Sequence, residues 1–143
     1  MTPVQAGGWV PDDLATKVHK LREMSVVVAY GEVDLTNVHL LKDLLDHLSA
    51  REVPLLLDLA KVRYIDSAGL ELLMQTYQHC RAQGMPFAVV AEPLVRRTFS
   101  VLSLETVLSV FDNAASAREH LVAEWWGRRD STSTLTEAHV SPS

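Results

Sequence analysis

The run Leu55-Leu56-Leu57-Asp58-Leu59 constrains this chain more than any other. So continuous an apolar stretch cannot turn one face to water, and it reads as a strand covered on both sides, as in parallel sheets. Val62 and Ile65 carry the apolar character on to Tyr64-Ile65-Asp66-Ser67-Ala68-Gly69-Leu70, where the pattern changes period. From Leu70 the sequence reads Leu70, Leu73, Met74, Tyr77 and Cys80 or Arg81, the three-to-four spacing of a helix with one buried face. Asp66 and Ser67 both suit the helix N-terminus, because their oxygens accept hydrogen bonds from first-turn amides that have no partner within the helix. Gly69 leaves the backbone beside them uncrowded. A lone serine is thereby held at a strand-to-helix junction, near the positive end of a helix and open to another protein.

The flanking segments supply the rest of an α/β pattern. Residues 16–22 and 25–30 are two short strand-like runs, with Val26, Val27 and Val28 favouring a pleated, buried surface, and Gly31 is expected to end the second. Residues 37–50 put Val38, Leu41, Leu44, Leu45 and Leu48 on one helical face. After the strand at 54–59 and the helix that follows Ser67, Gly84 offers a helix stop and residues 86–91 read as another buried strand. Pro93 can open a helix, since it lacks only an amide that would go unpaired there; that helix is expected to reach residue 102. A strand follows at 107–111, then a last helix capped by Asp112 or Asn113 and burying Ala117, Leu121 and Trp125. Strands alternating with helices after an initial hairpin imply a mostly parallel sheet with one antiparallel edge strand. Residues 1–13 show no sustained period and read as a flexible arm on which Trp9 could dock. Residues 14–126 form the domain, and 127–143 read as a disordered Ser/Thr-rich tail.

Composition narrows the function classes. With 143 residues and 48% hydrophobic content, the chain can bury one ordinary core. A net charge of -5 gives no support for nucleic acid, whose binding needs a clustered basic surface, so protein partners are expected. The single cysteine, Cys80, leaves no internal disulfide framework or CxxC metal chemistry and suits a reducing compartment. No apolar run approaches a membrane span, and residues 1–9 lack the basic start and apolar stretch of a signal peptide, which makes a cytoplasmic location without membrane insertion the expectation.

Three ordered segments resemble the STAS domains, and among them the bacterial anti-sigma factor antagonists. Asp66-Ser67-Ala68-Gly69-Leu70 is similar to the motif after the family's third strand, Gly31-Glu32-Val33-Asp34 to the turn after its second, and Glu92-Pro93-Leu94-Val95-Arg96-Arg97-Thr98-Phe99 to the helix start after its fourth. The resemblance covers roughly residues 17–125 and implies a single STAS domain with five strands and about four helices. It differs at Ser103-Leu104, where many members have Gly-Leu; serine tolerates a left-handed helix end less well than glycine. In such antagonists the serine after the motif's aspartate is phosphorylated, which implies Ser67 here. Ala68 leaves only that one hydroxyl in the motif. The resemblance further implies Asp34, Asp66, Ser67, Ala68 and Gly69 at the partner surface, with Asp34 near Ser67. The implied partners are an anti-sigma factor of the ATPase-kinase type and a resetting serine phosphatase. A homodimer stays open, and no cofactor is implied. An adaptor subunit of a lipid transporter, or a ligand-sensing STAS protein, is the alternative within the fold.

Catalysis finds little support in the residues. A serine at a strand-to-helix turn is the geometry of a hydrolase elbow, but the glycine two residues before the serine is missing, and His120, the nearest candidate base, falls inside the last helix. No GxxxxGK[ST] loop is present. His39 and His47, eight residues apart, cannot form the adjacent-turn metal pair that a spacing of four provides. Arg96 and Arg97 read as a solvated helix face, and Cys80 as a small buried hydrophobe.

Overall fold

The computed structural model describes the backbone of residues 13–140 and the side chains of residues 13–127. Among the described residues five strands form one sheet in sequential order. β1 (Ala15–Lys20) pairs antiparallel with β2 (Ser25–Val33), and β2, β3 (Leu55–Ile65), β4 (Phe87–Val90) and β5 (Ser109–Phe111) run parallel. Between them lie α1 (Val38–Ser49), α2 (Ser67–Ala82) and α3 (Pro93–Thr98), and α4 (Ala114–Val140) follows β5. This is the mostly parallel, five-stranded STAS-like architecture with an antiparallel edge strand and four helices that the sequence implied.

Alternation along the strands sorts side chains to two cores, as the pleat requires. Val27 and Ala29 of β2, Leu55, Leu57 and Leu59 of β3, and Phe87 and Val89 of β4 face one way. There they meet Leu41, Leu45 and Leu48 of α1, Leu70 and Leu73 of α2 and Val95 of α3. Val26, Leu56, Ala88 and Val90 face the other way and meet Ala117 and Leu121 of α4. The leucine run of β3 is buried on both faces because helices lie on both. Arg51, just beyond α1, ties the β1–β2 hairpin to this body by donating to Ser25 Oγ at 2.8 Å and to the Leu21 carbonyl at 3.1 Å. At the far end of the packed part of α4, the Trp126 indole donates to the Glu23 carbonyl at 3.2 Å.

Several boundaries differ from the sequence reading. Gly31 does not end β2; the strand continues to Val33, with Gly31 at φ +94°, a conformation open to glycine because it has no Cβ. Opposite it β3 runs on to Ile65, with register shifts that insert extra residues after Asp58 and after Val62. The Ala60 amide donates to Asp58 Oδ1 at 2.9 Å at the first of these. The second explains how Val62 and Ile65, three apart, both reach the main core: an inserted residue flips the alternation. The helix from Pro93 ends at Thr98 and tightens into 3₁₀ turns, Phe99–Leu102 and Leu104–Thr106. Ser103 between them takes the left-handed conformation, φ +55° and ψ +31°, that the family commonly gives to glycine. Asn113, not Asp112, caps α4, accepting from the Ser116 amide at 2.8 Å. The α4 backbone is helical to Val140. Gly127 costs only about 1 kcal/mol within a helix, and no proline falls between residues 114 and 140. Of the expected arm at 1–13, all but Asp13 lies outside the described residues, and so does Trp9.

Candidate functional site

Ser67 occupies the first position of α2, at the carboxyl end of β3, where a parallel sheet gathers the loops that follow its strands. Its neighbour Asp66, directly after β3, is extended, φ -96° and ψ -174°, and is the helix cap. One carboxylate oxygen, Oδ1, accepts from the Gly69 amide at 3.1 Å, which satisfies a first-turn donor. The other, Oδ2, accepts from the amide of Leu35 at 3.0 Å, thirty-one residues away in the loop after β2. Asp66 thus joins the two loops beside Ser67, and both of its oxygens are engaged within the chain. Its own amide donates to the Val33 carbonyl at 3.1 Å, which fixes the end of β3 to the end of β2.

With Asp66 as cap, the Ser67 hydroxyl is exposed and has no hydrogen-bond partner among the described residues. Gly69 is buried, and its role is steric. A Cβ built there would stand 2.5 Å from Ile65 Cγ1 and 3.0 Å from Val33 Cγ1, so only glycine lets the first turn of α2 press onto the ends of β2 and β3. Ala68 is half-buried and, with Leu35, Val38 and Leu72, lines a shallow groove between α1 and α2.

Asp34 lies in the neighbouring loop, as its position after β2 requires, but its carboxylate is used locally. Oδ1 accepts from both the amide and the hydroxyl of Thr36, and this hydroxyl bond, with smaller help from the amides of Thr36 and Asn37, holds the Asp34 carboxyl below its usual pKa. The Asp34 carbonyl accepts from the Val38 amide at 2.8 Å and its amide donates to Asn37 Oδ1 at 2.9 Å. Asn37 in turn donates to the Glu32 carbonyl at 3.0 Å. Asp34 shapes the loop that starts α1, and it makes no hydrogen bond to Ser67.

Other candidates fall elsewhere. His120 packs against the Phe111 ring and lies 3.4 Å from Glu124, on the helix that covers the opposite face of the sheet from α2. Cys80 is fully buried, and desolvation pushes its thiol up to about 11, far from a reactive thiolate. Arg96 pairs with Asp112 at 2.6 Å on the surface. No group of three His, Cys, Asp or Glu among the described residues could hold a metal ion, and no helix among them is long and apolar enough to cross a membrane. The residue that sequence reasoning passed over is Leu35. Its only signal was an aliphatic side chain in a polar turn, directly after Asp34, and it is 75% exposed.

Comparison with known proteins agrees with this geometry. Residues 16–110 match the family model described as Mlab, STAS domain. Osmosensory protein A of Mycobacterium tuberculosis is 35% identical over 71 residues, which cover half of this chain and 45% of that protein. The chain therefore spans less than half the length of that relative. An anti-sigma factor antagonist from Mycobacterium paratuberculosis superposes with a TM-score of 0.70 at 27% identity, covering 78% of this chain and 97% of the other. The anti-sigma factor antagonist SpoIIAA of Bacillus, in its unphosphorylated form, gives 0.63 at 18% identity over 74% and 95% of the two chains, a likeness of fold. With residues 16–110, about two thirds of its length, matched by that model, the chain belongs to the STAS domain family.

Proposed function

We propose that this chain is an anti-sigma factor antagonist whose state is set by phosphorylation of Ser67. The unphosphorylated protein binds an anti-sigma factor of the ATPase-kinase type and frees the sigma factor. The kinase modifies Ser67 and lets go, and a serine phosphatase restores the hydroxyl. One observation carries the reading: Ser67 is exposed at the first turn of α2, with no hydrogen-bond partner among the described residues, while the residues around it, Asp66 and Gly69, are spent on holding that turn in place. The likeness to the mycobacterial antagonist supports it.

The chemistry of the switch is local. Phosphorylation adds about -1.5 to -2 charges and three acceptor oxygens to a group that is otherwise small and neutral. Within the chain the positive end of α2 tolerates this charge. Against a docked partner the phosphate must be desolvated, and a cost of ~3–4 kcal/mol lowers affinity by roughly two to three powers of ten. The chain itself needs no catalytic function in this scheme, and His120 packs across the sheet from Ser67.

The test is intact-mass analysis and peptide mapping after incubation with ATP and each kinase-type anti-sigma factor of the source cell, alongside Ser67→Ala. Modification confined to Ser67, with loss of kinase binding, supports the proposal. Stable binding to an ATPase-transporter subunit without modification would replace it with the adaptor role. Failure to bind any candidate kinase would remove it.

A further inference from the structure

Three polar residues are buried among the described residues, Ser25, Ser49 and Thr76. Arg51 accounts for the first. The other two, 2% and 7% exposed, line one cavity of about 220 Å³ between α1 and α2. Helical spacing puts them there. Leu45 and Ser49 on α1 are four apart, as are Leu72 and Thr76 on α2, so each helix turns one leucine and one hydroxyl into the seam. The Ser49 hydroxyl donates to the Asp46 carbonyl at 3.0 Å and keeps its lone pairs. The Thr76 hydroxyl has no hydrogen-bond partner among the described residues, and its oxygen opens onto the cavity. A hydroxyl buried without a partner costs stability that an equally shaped valine would not, so its place in this seam calls for a group in the cavity that bonds it.

We propose that this cavity binds a small neutral polyol or monosaccharide, a carbon skeleton bearing several hydroxyls. The rim carries one charge of each sign, and Lys42 and Asp46 are already paired with each other at 2.6 Å. Neither is left to select an anion, a cation or a zwitterion. The mouth also holds Gln75 and His79, one turn apart on α2, and like the two hydroxyls below them each can both donate and accept. A ligand that matches such partners at every point must itself donate and accept, which a hydroxyl does and a carboxylate or an ammonium does not. Leu45 and Leu72 supply an apolar wall for the carbon skeleton. Size sets the upper bound. At ~30 Å³ per water the cavity holds about seven waters, the room of a polyol or monosaccharide of about five or six carbons. The cavity shares Lys42, Leu72 and Gln75 with the groove that reaches Ala68, so a bound ligand lies alongside the surface next to Ser67. The site does not depend on whether Ser67 is phosphorylated.

The experiment is an NMR titration that follows the backbone amides of the full-length protein, labelled with nitrogen-15, as xylitol, sorbitol or glucose is added, with sodium phosphate and glycine as the charged probes. Saturable shifts centred on Ser49 and Thr76 are expected with a polyol or with glucose, and none there with phosphate or glycine; which of the first three saturates tells whether the open chain or the ring is taken. Thr76→Val removes the hydroxyl and keeps the shape, and should weaken binding about threefold to tenfold, the worth of one hydrogen bond. Gln75→Ala, at the exposed mouth, should weaken it by a similar factor and carries the test if Thr76→Val does not fold. Val122→Ala is the control, since Val122 is exposed on α4, which covers the opposite face of the sheet, and should bind as wild type does. Shifts that rise in proportion to solute and never saturate would show that the cavity holds water only and would overturn the proposal. Saturation of this site by phosphate or glycine would overturn it too, and so would Thr76→Val and Gln75→Ala both binding within about twofold of wild type.

Discussion

Replacing Gly69 by alanine tests whether the serine turn is held by close packing. The added Cβ would lie 2.5 Å from Ile65 Cγ1, 2.9 Å from Ile65 Cδ1 and 3.0 Å from Val33 Cγ1. Carbon atoms make their best contact at about 3.5–4.0 Å, so the nearest pair must separate by about 1 Å or more. Ile65 cannot simply swing aside, because it is 4% exposed, branched at Cβ and restricted at χ1. The strain therefore falls on α2, whose first turn is bound by the Asp66 cap. Overpacking of this kind costs about 1–3 kcal/mol, and the better helix propensity of alanine returns at most about 1 kcal/mol. A net loss of about 1–2 kcal/mol follows, or a fall in Tm of roughly 3–10 °C for a domain of this size. Urea denaturation followed by circular dichroism measures it. The origin is checked by a double-mutant cycle with Ile65→Ala, which removes the two atoms in closest contact. The pair should cost about 1–2 kcal/mol less than the sum of the singles. A Gly69→Ala protein as stable as wild type, or singles that add within ~0.5 kcal/mol, would refute the steric account.

Asp66→Ala removes both the cap on Gly69 and the tie to Leu35, and should cost about 2 kcal/mol, with faster amide exchange at both positions; Asp66→Asn, which keeps an acceptor oxygen, should cost less. Asp34 is held below its ordinary value of 3.8 first by the Thr36 hydroxyl. Its stabilising contribution is therefore complete above the unfolded value and lost as pH falls through the folded one, so Asp34→Asn should show a shallower acid-side decline in denaturation midpoints than wild type below about pH 4. Ser103→Gly removes a side chain from a left-handed residue and should raise stability by about 0.5–1 kcal/mol by the same denaturation assay.

The boundaries of the domain's elements divide by cause. Local chemistry set those that were legible: Gly84, at φ +69°, stops α2, Pro93 opens α3, and the α1 face of Val38, Leu41, Leu44, Leu45 and Leu48 is buried or half-buried where its spacing put it. The extension of β2 and β3 past Gly31 was not legible, because it depends on two strands bulging against each other and not on the propensity of either. On α2 the spacing of Leu70, Leu73 and Cys80 marked one face, but Leu72 and Thr76 are buried too, since α1 packs along the side of the helix as well as the sheet beneath it.

The sequence by itself determined that this chain would be a parallel α/β domain with a serine at a strand-to-helix turn, because a doubly apolar strand and a helical period meeting at Asp66-Ser67 allow little else. Tertiary structure alone decided what surrounds that serine. The carboxylate of Asp66 reaches Leu35 across thirty-one residues, and Gly69 is required by Ile65 and Val33 beneath it. Spacing along a sequence encodes which face of an element is apolar. Which elements lie beside one another, and so which side chains share a surface, is fixed only when the sheet assembles.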